Sequence, residues 1–245
     1  IDGKYKITYN RVVPNYDDKF NMLCPRMWST MEPSHAEDYK DWGKIKGTRV
    51  QHRNEQGETE VIIKPTLSEN MRFFFRYHVN HMYWRYFMWN FAGRQNDIQS
   101  HGSVIHGNWI SGINFIDEAR LGDQTNLPSS LDGNKGRNAY YFLPLLLGLA
   151  GLFFQYYKGV EGKKGAWVVF LLFFMTGLAI VIYLNQYPHQ PRERDYAYAA
   201  SFYAFAIWIG LGVLALAEGL RKFLPETVAA GVAGVLTLVL VPGIM

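Results

Sequence analysis

Four alternating charges, Arg192-Glu193-Arg194-Asp195, sit between two strongly apolar runs in the stretch NQYPHQPRERDYAYAASFYAF. Arginine offers planar, paired donors that suit a phosphate or carboxylate and stay charged. Glu193 and Asp195 can orient those arginines, bind a metal or act as a base, and Tyr196 follows them directly. At headgroup depth, Arg192, Arg194, Glu193, Asp195 and Tyr196 form a candidate site for a lipid-linked phosphate. The plainer alternative is a self-neutralising salt-bridge loop that pins two helix ends. Pro188 and Pro191 stiffen the loop under either reading.

A second cluster lies in MWNFAGRQND, where a helix should stop at Gly93 and present Arg94, Gln95, Asn96 and Asp97. Arg94, Asn96 and Asp97 are candidates to face a sugar or acceptor, and a polar helix-end network is the structural alternative. Trp109, like Trp84 and Trp89, has a ring suited to stacking on a sugar, although packing is the commoner use of tryptophan. His78 and His81 have an i, i+3 spacing that could hold a metal, but no HExxH pattern accompanies them. His101 and His106 lie in a glycine-rich loop with no evident partner. No metal site is therefore assigned from the residues. No phosphate-binding loop, dinucleotide fingerprint or nucleophile elbow is present. The net charge of +4 comes without a basic aromatic patch, so nucleic acid is not an expected partner. The single cysteine, Cys24, excludes an intrachain disulfide framework.

These residues need elements to position them, and the chain supplies two kinds. A mean hydropathy of −0.12 averages a charged first half with an apolar second half. Apolar segments at 140–157, 166–184, 199–217 and 227–245 have about the length needed to cross a hydrocarbon core. Tyrosines and tryptophans cluster near their ends, as interfacial aromatics do. Lysines at 158, 163 and 164, with Arg221 and Lys222, outnumber the two arginines of the 185–198 loop. The lysine side should therefore be cytoplasmic. Residues 1–138 and 185–198 would then share the opposite, periplasmic side of a bacterial inner membrane.

Residues 1–138 read as one extracytoplasmic or interfacial region, and 139–245 as the transmembrane region. GETEVIIKP alternates like a strand. Thr66 and Glu69 have capping-box spacing, which predicts a helix over about 67–91. Its polar residues fall on two stripes, Arg72, Arg76, Asn80 and Asn90, and His78, His81 and Arg85. Two stripes suit a helix lying at the interface with lipid or spans on one side and the external region on the other. The expected fold is mainly α, a polytopic helical membrane protein of about four spans. The chain starts with Ile and ends inside an apolar run, so an internal fragment of a longer protein is expected.

CPRMWS, YWRYFMWNFAGRQND, GNWISGINFID, NAYYFLPLLLGLAGL and YPHQPRERDYAYAASFYAFAIWIG resemble, in the same order, the domain-of-unknown-function 2723 membrane proteins. These are also grouped as glycosyltransferase family 117 and are similar to protein O-mannosyltransferases. The resemblance implies a GT-C-like enzyme. It would move a sugar, mannose-like, from a polyprenyl-phosphate donor to a protein acceptor, with a divalent metal as a possible cofactor. It implies that Arg192 and Arg194 hold the phosphate. It also implies that the catalytic carboxylate precedes Ile1, so no catalytic residue is assigned. A membrane scaffold is the competing reading. A transporter is disfavoured because the first three apolar segments carry no charge.

Overall fold

The computed structural model describes residues 32–53, 57–189 and 194–244. Cys24, Arg192 and Glu193 lie outside them. Described in chain order, α1 (Ser34–Gly43) leads into an antiparallel hairpin of β1 (Thr48–Arg53) and β2 (Thr59–Lys64). The GETEVIIKP stretch thus supplies the second strand of a hairpin.

A continuous helix follows, here α2, built from Leu67–Phe73, a π-helical middle Phe74–Trp84, and Arg85–Phe91. It starts where the Thr66–Glu69 spacing predicts. The Thr66 hydroxyl accepts from the Glu69 amide, and a Glu69 carboxylate oxygen accepts from the Thr66 amide at 2.8 Å. The other Glu69 oxygen accepts from the Lys46 and Gly47 amides at 2.8 and 3.1 Å. One carboxylate therefore caps α2 and clamps the turn leading into β1.

The Thr66 amide, aided by those of Lys46 and Gly47, holds the Glu69 carboxyl down to about 2, against a burial effect of opposite sign. A depressed folded value contributes stability above the ordinary carboxyl range, and that stability is lost as pH falls from about 4.5 toward 2. Thermal melts at pH 6 and pH 3 should show a smaller drop for Glu69→Gln than for the parent chain. An identical drop would remove Glu69 from this role.

The two polar stripes of α2 separate cleanly. Arg72, Arg76, Asn80 and Asn90 are exposed, whereas His78, His81 and Arg85 are buried. The aromatic surface between them packs on the helices of the second half. Tyr77 donates to the Tyr187 carbonyl at 3.0 Å, and Tyr83 donates to the Ser201 hydroxyl at 3.2 Å. Phe87 and Phe91 lie 4.9 and 4.6 Å from the Phe205 ring.

Beyond α2 come β3 (Gly93–Arg94), α3 (Asn114–Leu121), α4 (Ser129–Asp132) and β4 (Asn138–Ala139). β3 pairs with β4 and bridges to Trp109. Gly93 is required here, because its φ is +142° and a Cβ would meet the backbone of Asn138, Ala139 and Ile110.

The apolar half contains α5 (Leu143–Tyr157), α6 (Gly159–Thr176), α7 (Leu178–Leu184), α8 (Ala199–Leu220) and α9 (Glu226–Leu240). Three helical stretches are long and apolar enough to cross a membrane: Gly159–Leu184, Asp195–Leu220 and Glu226–Ile244. Their outward faces carry Trp167, Val168, Leu171, Leu214, Val235 and Leu238, all exposed. Such continuous apolar surface is unfavourable in water and natural in lipid.

Four spans were expected, and the first is corrected. Leu143–Tyr157 has 15 residues, about 22 Å of helix, short of a hydrocarbon core of about 30 Å. Its expected first turn is used otherwise. Tyr140 and Tyr141 donate their amides to the Ala92 and Ser111 carbonyls, and Tyr141 and Phe142 have left-handed φ values of 51° and 59°. The lysine-rich segment is also not a loop, because only Lys158 separates α5 from α6 and Lys163 and Lys164 lie inside α6. The second span is interrupted at Gly177, where a Cβ would crowd the Tyr83 hydroxyl and the Ser201 side chain.

α5 and α8 run side by side in the same direction. Gly148 and Gly151 let α5 settle against Phe205, Trp208 and Gly212 of α8. At the far end Lys158 pairs with Glu218 at 2.6 Å. Small residues permitting close backbone approach are the usual basis of helix association in lipid. The starts of α5 and α8 and the end of α7 therefore share one end of the bundle with α2 and the strand pairs. Lys158, Lys163, Lys164, Arg221 and Lys222 belong to the other end.

Candidate functional site

The RQND turn hydrogen-bonds to neighbouring loops. Arg94 donates through Nε to the Gly136 carbonyl at 2.8 Å, and its amide donates to Asn138 Oδ1 at 3.0 Å. Gln95 Oε1 accepts from the Asn108 side chain at 3.0 Å. Asn96 is buried. Its Oδ1 accepts from the Gly107 amide at 2.7 Å, and its Nδ2 donates to the Ile105 carbonyl at 2.9 Å. Asp97 accepts from the Asn134 side chain at 3.0 Å and stays exposed. These groups staple the 99–111 and 134–138 segments to the end of α2.

Trp109 lies beside the start of α5, 6.0 Å from the Phe142 ring, with the Arg120 guanidinium 3.4 Å above its indole. Arg120 also donates to the Trp109 carbonyl at 3.1 Å. Asp117, one turn earlier on α3, is buried and accepts from the Ser111 amide, the Ser111 hydroxyl and the Gly112 amide. That carboxylate fixes the 111–113 turn and so the pose of α3 and its arginine.

An apolar groove of about 370 Å³ opens between α5, α8 and α9. Leu143, Leu147, Ala150, Gly212, Leu236 and Leu240 are among its walls. It begins at Leu143, on the end of the bundle that carries Arg120. Sequence reasoning did not anticipate it, because its walls come from helices far apart in the chain.

A second feature at the same end was also not anticipated. Trp42, Tyr77, His81, Ser100, His101, Pro188 and His189 line a cleft of about 20 Å³, room for a water rather than a sugar. His189 Nε2 lies 3.0 Å from Asp38 Oδ1, and the His189 and His101 rings stack at 4.3 Å. His81 Nε2 contacts the Ser100 carbonyl at 3.2 Å. Burial, then the Arg85 charge, holds His81 well below the ordinary imidazole range, and burial lowers His78 to about 4. Both are neutral core histidines at pH 7. Among the described residues no group of three His, Cys, Asp or Glu side chains could hold a metal.

Of the phosphate candidates, Arg194, Asp195 and Tyr196 are described and exposed. Asp195 opens a short 3-10 turn, Asp195–Tyr198, that leads into α8. Arg192 and Glu193 lie outside the described residues.

Comparison with known families overturns the resemblance to the domain-of-unknown-function 2723 proteins. The matching family model is a different one, Family of unknown function (DUF8416), over residues 1–75. No glycosyltransferase family matches. No curated protein and no solved structure matches the chain. The match covers α1, the hairpin and the first turns of α2 but none of the apolar helices, so the long shared strings of the second half carry no family assignment.

Proposed function

We propose that the chain is part of a multi-pass membrane enzyme that binds a lipid-linked, phosphate-bearing donor at the polar end of its bundle. The observation that carries this reading is the apolar groove between α5, α8 and α9, whose wall begins at Leu143, next in sequence to the Phe142 ring that Trp109 contacts. A hydrocarbon chain fits the groove, and Arg120, exposed at the same end of the bundle, is a cation suited to the phosphate. The narrower form is sugar transfer from a polyprenyl-phosphate donor to a hydroxyl of an acceptor protein. The groove supports the lipid part of that form. The excess of lysines at the opposite end supports a periplasmic location for the polar end in a bacterial inner membrane.

Ala150 is exposed on the groove wall, so Ala150→Trp should fill the groove without disturbing the helix contacts. In nanodiscs, undecaprenyl phosphate should bind the parent protein and bind the variant at least about tenfold more weakly. Equal binding would sink the proposal. A second reading, a membrane scaffold, is favoured by the RQND turn, which hydrogen-bonds to neighbouring loops. It expects no binding to either protein.

A further inference from the structure

We propose that His189 and Asp38 form a proton-accepting dyad that activates a hydroxyl nucleophile at the polar end of the bundle. The pair joins distant parts of the chain, α1 and the segment after α7, at hydrogen-bond distance. A carboxylate only accepts, so the proton of the contact belongs to His189 Nε2. That leaves Nδ1 as the basic nitrogen, held in one tautomer and orientation by Asp38. The His189 side chain is 47% exposed and that of Asp38 is 22% exposed, so the carboxylate is sheltered and the imidazole is open to a substrate.

The facing titratable and charged groups are Asp38 from α1, His81 and Arg85 from α2, and His101 from the following loop. Partial burial, then the His189 and Arg85 charges, hold His101 below the ordinary imidazole range, with Asp38 opposing. The His101 ring stacks on that of His189 at 4.3 Å. Three other histidines, His35, His78 and His81, are buried, and His106 has no carboxylate in contact among the described residues.

The step rests on the lipid-linked donor reading. An acceptor hydroxyl gives its proton to His189 Nδ1 while its oxygen bonds to the electrophilic carbon of the transferred group. The bond from that carbon to the phosphate oxygen breaks, and its electron pair stays on the phosphate. The imidazolium, paired with Asp38, then returns its proton to solvent. His189 would be the catalytic residue and Asp38 a positioning residue.

The test needs no donor, so its result is independent of the groove experiment. The intact protein in nanodiscs is treated with diethyl pyrocarbonate at pH 7, and acylation of each histidine is followed by mass spectrometry. His189 should react about tenfold faster than His106. Asp38→Asn, which keeps shape but not charge, should slow His189 about tenfold and leave His106 unchanged, and Asp38→Glu should restore the rate. A His189 rate equal to that of His106, or one unchanged in Asp38→Asn, would overturn the dyad. So would equal slowing in Asn and Glu variants, which marks a merely structural contact.

Discussion

Gly151→Leu abolishes the native pairing of α5 with α8. A Cβ at Gly151 would overlap the Trp208 carbonyl oxygen and crowd the Gly212 amide, and a Cβ at Gly212 would overlap the Leu147 carbonyl. These are backbone atoms inside helices, so no rotamer change relieves the clash. Overpacking ordinary side chains costs about 1–3 kcal/mol, and backbone overlap at a helix crossing exceeds that range. The Trp208 indole, which donates to Gln155 at 2.9 Å, would lose its partner as the helices separate. Thermal unfolding of the detergent-solubilised protein should show the loss. Gly210→Ala is the control, since nothing lies within 4 Å of its Cβ position. A Gly151→Leu protein as stable as Gly210→Ala would disprove the crossing.

Arg85→Met detaches the 99–109 loop from α2. Arg85 is buried, donating through Nε to the His81 carbonyl at 3.0 Å and through Nη1 to the Gly107 carbonyl at 2.8 Å. Its guanidinium also lies 4.5 Å from the Tyr86 ring and 5.3 Å from the Trp89 ring. Hydrogen bonds from charged donors contribute about 1.5–3 kcal/mol each, and removing the buried charge offsets part of that. The expected net loss is about 3 kcal/mol. It should appear as faster amide exchange and proteolysis across 99–109, while the α5–α8 pair stays protected. Arg85→Lys should not rescue it, because a lysine lacks the planar fork that reaches two carbonyls at once. Unchanged protection in Arg85→Met would show that Asn96 and Gln95 hold the loop unaided.

Legibility in the sequence followed the range of the interaction involved. The capping box at Thr66–Glu69 was readable because its partners are three residues apart. The two stripes on α2 were readable because helical periodicity sets which residues share a face. What each stripe does was not readable. Arg85 could as well have faced solvent, and Gly107, its partner, is distant in sequence. The first span was overcounted because hydropathy is blind to backbone pairing. Tyr140 and Tyr141 are apolar enough to continue a helix, but Ala92 and Ser111 take their amides.

The sequence by itself determined that this is a mainly helical chain with segments apolar enough to cross a membrane, where α2 begins, and which end of the bundle collects lysine. Those properties come from composition and from near-neighbour periodicity. Only the tertiary structure decided which polar residues remain available for chemistry. Arg94, Asn96 and Asp97 each hydrogen-bond to a loop up to some forty residues away. Asp38 and His189, unremarkable in their own surroundings, meet across 151 positions. Side-chain type states what a residue can do, but whether it is free to do so depends on partners that the folded chain alone brings within hydrogen-bond reach.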